Sequence, residues 1–413
     1  MPLLRSFAGL RPHPDYAAEV AAPPYDVLNS AEARALATGK PWSFLHISKP
    51  EIDLAPGIDP YSAEVYARGA ENFRTMRDQA ILQQDNAPCF YLYRLTMGAH
   101  TQTGVAAAAS VAAYDSGRIR RHELTRPDKE DDRVRQIAAL NAQTGPALLT
   151  YKRSKAIDEL VAAHTRTNKP EYDFSAHDGI RHALWVMNDA AAIEQLTAAF
   201  ENIERLYIAD GHHRSAAASR IAAERRKSNP RHMGEENYNY FLAVAFPDKE
   251  MQILPYHRVI KDLHGLTRAA FLERLQASCS VTPVNAAVQP AKPGEFGLYL
   301  ETQWYRLNLR PELIPQQDPV ARLDVSLLHA HVIEPLLGIR DARRDQRIDF
   351  VGGIRGLKEL ERRVDGGEMT LAFSLPPTRM EQLMSVADAN ELMPPKSTWF
   401  EPKLADGLVS HLL

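Results

Sequence analysis

The chain has 413 residues and a formal net charge of −3, with 45% hydrophobic and 24% charged residues. That length fills two closely joined lobes, and the composition is that of a globular protein, which argues against disorder. Lys and Arg are scattered, which disfavours a dedicated nucleic-acid face. No 18-residue apolar run or signal-type N-terminus is present, so a cytoplasmic chain with no membrane segment is expected.

The elements are read in chain order. Ser30–Ala33 looks like a cap entering a short helix, and residues 61–82 like a longer one. Residues 89–97 and 104–114 alternate β-formers and small apolar residues around a polar break, which predicts a hairpin. A helix is expected over 128–141, with strands at 148–152 and 183–186. Strand 206–209 and helix 212–226 follow, then apolar runs at 240–246 and 251–254 split by Pro247-Asp248. Beyond them come a helix at 267–277, a hairpin of 296–301 with 304–309, an amphipathic helix at 324–337, a strand at 369–374 and a helix at 378–387. Without strict βαβ alternation, the pattern indicates an α+β fold, a mixed β-sheet with flanking helices. The expected division is 1–265 as a catalytic domain with an N-terminal extension and 266–413 as a C-terminal α/β lobe whose tail returns to the site. Cys89 and Cys279 sit in apolar contexts and read as reduced core thiols.

The densest chemistry lies in YIADGHHRSAAASR, Tyr207 to Arg220. An apolar strand meets the turn dipeptide Asp210-Gly211, and an Ala-rich helix begins. A helix N-terminus attracts phosphate through unpaired amides and its dipole, and Gly211 lets main chain approach a ligand. Arg214 adds a forked donor, and Asp210 can hold Mg²⁺ or accept a proton. The plainer alternative is a capping Asp followed by solvated His and Arg.

Three further blocks are polar enough to matter. Arg120-Arg121-His122-Glu123 leads to Lys129, Asp132 and Arg133, pairing a candidate base with phosphate-clamping cations. Lys396-Ser397-Thr398 follows Pro394-Pro395 and offers an ammonium and two hydroxyls, although no Gly-rich loop makes it a Walker motif. Ala-Pro-Pro-Tyr25-Asp26-Val is rigid and places two polar groups beside each other, with Arg11 upstream. His257-Arg258 offers a lesser anion contact. His212-His213 adjacency and the lack of HExxH or CxxC pairs argue against zinc.

The DGHHR-SAAA run resembles the phosphate-binding box of the ParB-like superfamily, and its DGH form is similar to that of free-serine kinases. The whole chain also resembles a widespread Spo0J/ParB-like family of poorly characterised proteins, through RPHPDYAAEVAAPPYDV, RRHELTRPDKEDDR, LPYHRVI and MPPKSTWFEPKL, which span Arg11 to Leu404. The resemblance implies a ParB-like strand–turn–helix phosphate site and a free L-serine kinase making O-phosphoserine. ATP, ADP or pyrophosphate would be donor, with Mg²⁺ at Asp210. Glu123, Asp210 and His212 are the expected catalytic residues, Glu123 as base with Asp210 competing for that role. Gly211, His213, Arg214, Lys129, Arg133, Lys396, Ser397 and Thr398 are expected on the donor phosphates. Arg11, Tyr25, Asp26, His257 and Arg258 are expected on the substrate. The other readings are a ParB-like switch binding CTP or ATP, and a phosphatase of a phosphorylated metabolite. The partner is a small molecule, L-serine or similar, rather than nucleic acid; oligomerisation stays open.

Overall fold

The computed structural model describes residues 1–413. Its contacts divide the chain into two compact units, Met1–Met251 with Pro402–Leu413, and Gln252–Glu401. The sequence reading set the boundary near 265 and the tail in the C-terminal lobe; the contacts divide the chain between Met251 and Gln252 and join Pro402–Leu413 to the first unit.

The first unit is built on a nine-stranded mixed sheet. Its order is Ile119–Arg120, Leu206–Asp210, Ala147–Tyr151, Tyr240–Pro247, His100–Ser110, Phe90–Met97, Arg181–Met187 and Tyr172–Ser175, with Leu4–Arg5 also pairing to His100–Ser110. Two pairings are parallel, Leu206–Tyr207 with Ile119–Arg120 and Ala243–Pro247 with Ala147–Tyr151; the others are antiparallel. The expected hairpin forms, but its second strand starts at His100 and ends at Ser110, where Val111–Asp115 turns helical. The fold is therefore α+β with a mixed sheet and flanking helices.

The central strand Tyr240–Pro247 is buried at every position, so it reads as a continuous apolar run rather than an alternating one. Helix His212–Ser228 lies close to the sheet because Ala216, Ala217, Ala218 and Ala222 are small and buried. Helix Pro127–Leu140 starts with Pro at its first turn, carries Asp128 and Glu130 there, and ends at Asn141 in the left-handed region. The two helices meet through Ile137, Ala217 and Ile221. The helix expected over 61–82 runs only from Ala63 to Asp78. Leu82–Gln84 instead pairs with Leu10–Pro12. The tail is stitched in by main chain: Asp406 and Ala22 exchange hydrogen bonds, and His411–Leu412 pairs with Ala142–Gln143.

The second unit holds a six-stranded antiparallel sheet, ordered Cys279–Val284, Gln303–Leu309, Glu295–Leu300, Leu371–Ser374, Tyr256–Ile260 and Ile348–Gly352. The helix over 324–337 forms, with its middle turn, His329–Ile333, widened to π geometry. Gln252–Leu254 pairs with Trp399–Glu401, so this run is not a partner of Tyr240–Pro247. No helix is long and apolar enough to cross a membrane.

Candidate functional site

The register of Leu206–Asp210 against Ala147–Tyr151 slips between Ile208 and Asp210. Such an irregularity bends the strand end and re-aims the residue that follows. Gly211 then adopts φ +94°, ψ 28° as the residue before the helix. A Cβ there would lie 2.9 Å from Arg214 Nε and 3.0 Å from Ala147 Cα. Glycine is required both by dihedral and by space. Gly211→Ala is expected to lower stability by about 1–2 kcal/mol from left-handed strain alone and to displace Arg214; an unchanged melting temperature by calorimetry would contradict this. The amide of Gly211 donates to Asp210 Oδ1 at 2.7 Å. The amides of His212, His213 and Arg214 occupy the first turn, whose N–H groups have no partner inside a helix.

Two cations flank Asp210. Lys403 Nζ lies 3.2 Å from Oδ2 and Arg214 Nη2 lies 3.6 Å from Oδ1. Burial alone would raise the pKa of Asp210, but Lys403 and Arg214 outweigh it and hold the carboxyl below its ordinary range. Asp210 is thus an orienting anion. Arg214 Nη1 also donates to the Pro146 carbonyl at 2.7 Å. A magnesium ion at Asp210 would have to displace Lys403, and no group of three or more His, Cys, Asp or Glu side chains is gathered to hold a metal. The residues do not fit a resident metal, and no step below is routed through one.

Glu123 reaches the bend through the short parallel pairing of Ile119–Arg120 with Leu206–Tyr207. Its carboxylate lies between two imidazoles, Oε1 3.9 Å from His122 Nε2 and Oε2 3.9 Å from His212 Nδ1. The two rings meet edge to face at 4.5 Å. His212 Nε2 accepts the His122 amide at 3.4 Å, so the ring proton sits on Nδ1, on the Glu123 side. Burial lowers His122 to about 4 and lowers His212 well below its ordinary value, the neighbouring His122 adding to the effect. Burial keeps both imidazoles neutral near pH 7, and the Glu123 side chain stays 36% exposed. His213 Nε2 accepts the Arg126 amide at 3.0 Å, and burial lowers its pKa as well.

The packed helices bring Arg133 alongside Arg214. Arg133 donates twice to Asp132 Oδ2, at 3.1 and 2.7 Å, and its guanidinium lies 3.7 Å over the Tyr25 ring. Arg133, Arg214, Tyr25, Ser48, Gly145 and Asp406 line a cavity of about 30 Å³. Burial pushes the Asp406 carboxyl up to about 7, with Arg214 opposing and Asp26 adding to the rise.

The remaining expected residues are placed as follows. Lys129 donates to the Tyr61 hydroxyl at 2.6 Å, and Asp26 is exposed. Arg11 directs its donors to Asp85, Glu171 and Tyr172, which makes it a clamp between segments. His257, Arg258, Lys396, Ser397 and Thr398 all belong to the second unit. There His257 Nδ1 accepts the Leu375 amide, and Arg258 donates to the Tyr256 carbonyl at 2.6 Å. The Ser397 hydroxyl donates to the Pro394 carbonyl, while Lys396 Nζ lies 5.7 Å from the centre of the Tyr256 ring. Sequence reasoning did not single out Lys403, Ser48 or Asp406, and named His122 only as part of the block before Glu123. Lys403 stood in the quoted MPPKSTWFEPKL block, and only the tail's docking distinguishes it from Lys396.

In overall structure the chain is similar to a free serine kinase variant in complex with ADP, at a TM-score of 0.35 and 14% identity, over 73% of this chain and 92% of that one. It is similar to a conserved hypothetical protein from Pyrococcus furiosus, at 0.34 and 15%, over 73% and 93%. A C-terminally truncated SbnI from Staphylococcus aureus gives 0.37 and 11%, over 73% and 85%. Likeness at this level carries no argument about chemistry. No curated protein matches the chain in sequence. A family model described as a protein of unknown function, DUF1015, matches residues 4–326, well over half of the chain, and the chain therefore belongs to the DUF1015 family.

Proposed function

We propose that the protein is a small-molecule phosphotransferase that phosphorylates an alcohol, with free L-serine as the expected acceptor and ATP, ADP or pyrophosphate as donor. The ParB-like resemblance of the DGHHR box supports this reading. The observation that carries it is the convergence, within one unit, of a half-exposed carboxylate, Glu123, with the Lys403–Asp210–Arg214 array at the start of helix His212–Ser228.

Phosphoryl transfer rests mainly on positioning and charge neutralisation. Arg214, Lys403 and the first-turn amides bind the transferred phosphoryl group and the charge that develops on the leaving phosphate. The acceptor oxygen attacks phosphorus, its proton passes to Glu123, and the bond from phosphorus to the leaving oxygen breaks. Asp210 keeps the two cations in place; paired as it is, it is a weak base.

Phosphorus NMR of the full chain with Mg²⁺, L-serine and each donor in turn tests the proposal. A phosphomonoester resonance that requires serine is expected. Inorganic phosphate released at the same rate without serine would mark a phosphatase, and nucleotide binding with no turnover would mark a switch.

A further inference from the structure

We infer that the cavity beside the bend is the acceptor's head-group site, in which Arg133 and Arg214 take a carboxylate and Asp406 takes an ammonium, so that the substrate class is a small α-amino acid and Asp406 sets the preference for it. The cavity is lined by two polar side chains that are more than nine-tenths buried and lack a hydrogen-bond partner at a named atom. These are Asp406, 2% exposed, at Oδ1, and Ser48, 5% exposed, at Oγ. Folded proteins leave few buried polar atoms unpaired, and two on one cavity wall point to a polar occupant.

Asp406 is not there by side-chain chance. Its main chain is fixed on both sides, its amide donating to the Ala22 carbonyl at 2.9 Å and its carbonyl accepting the Ala22 amide at 3.1 Å. Gly145 separates the acid from the guanidinium. It has no positive φ, so its backbone does not demand glycine. A Cβ on it would instead lie 3.2 Å from Asp406 Oδ1 and 3.4 Å from Arg214 Cδ. The missing side chain is what keeps the space open.

Charge selects the occupant. Arg133 is matched by Asp132 and Arg214 shares Asp210 with Lys403, but each guanidinium has more N–H groups than these partners use. A carboxylate would use the spare guanidinium donors, and an ammonium would use Asp406 Oδ1 as its acceptor. A zwitterion satisfies both. Size selects further: about 30 Å³ holds roughly two waters. That is too small for a nucleoside.

The inference rests on the phosphotransferase reading for the fate of the acceptor hydroxyl, but binding can be measured apart from turnover. Calorimetric titration of the full chain compares L-serine with 3-hydroxypropionate, which lacks the ammonium, and with ethanolamine, which lacks the carboxylate. L-serine is expected to bind at least ten-fold tighter than either. Asp406→Asn is expected to cut the preference for L-serine over 3-hydroxypropionate at least ten-fold and to leave ADP affinity unchanged. Gly145→Ala, a milder change, is expected to weaken L-serine at least ten-fold. Equal affinity for the three compounds, an unaltered preference in Asp406→Asn, or no serine binding by the folded chain (a cavity for water only) would each overturn the assignment. Serine binding with these preferences but no transfer from any donor sinks the phosphotransferase reading and keeps the site. Equal transfer to all three compounds does the reverse.

Discussion

Arg214→Ala is expected to lower kcat/KM by about 10²–10³-fold, the scale found when one preorganised donor to developing charge is removed. The side chain makes a charge-assisted phosphate contact in the proposed mechanism, a class worth about 1.5–3 kcal/mol. It also balances Asp210 and Asp406, both of which feel its charge. Arg214→Lys keeps the charge but loses the fork that reaches the Pro146 carbonyl and Asp210 together, so an intermediate loss is expected. Steady-state kinetics at matched protein stability measures both, since breaking a buried ion pair also costs folding free energy. Turnover near that of the parent in Arg214→Ala would remove the residue from the site.

Glu123→Gln comes second. General-base catalysis typically contributes about 10²–10⁴-fold, and the loss is expected to appear in turnover while donor affinity stays within two-fold. The change is isosteric, so the contacts to His122 and His212 are kept in shape. The competing base, Asp210, is held as an anion by Lys403 and Arg214 and is poorly suited to take a proton. Near-normal turnover in Glu123→Gln would return the role to Asp210. A collapse of donor binding would make Glu123 a ligand or a structural residue.

What was legible in the sequence was local. Strand 206–210 and the helix after it could be read because an apolar run, an Asp-Gly turn and an Ala-rich stretch follow one another directly. The mixed α+β class followed from the spacing of such runs. Helices Lys155–Thr167 and Ala190–Glu201 were missed, although both pack apolar side chains, among them Ile157, Leu160, Leu196 and Phe200, on the sheet core. The position of Glu123 was not derivable from spacing. It depends on Ile119–Arg120, a strand of two residues that carries no periodic signal and is defined only by its parallel neighbour. Lys403 and Asp406 depend on the tail pairing back to Ala22 and Ala142–Gln143, contacts separated by most of the chain. Long-range pairing of this kind leaves no trace in a window of ten or fifteen residues. The polar block around Lys396 belongs to the second unit, where the Ser397 hydroxyl closes a local turn.

A crystal structure of the full chain grown with pyrophosphate would test the central assignment most directly. The account places one phosphoryl group on Arg214, Lys403 and the amides of residues 212–214, with Glu123 open on the acceptor side. Pyrophosphate bound elsewhere while Lys403 and Arg214 still close on Asp210 would contradict it.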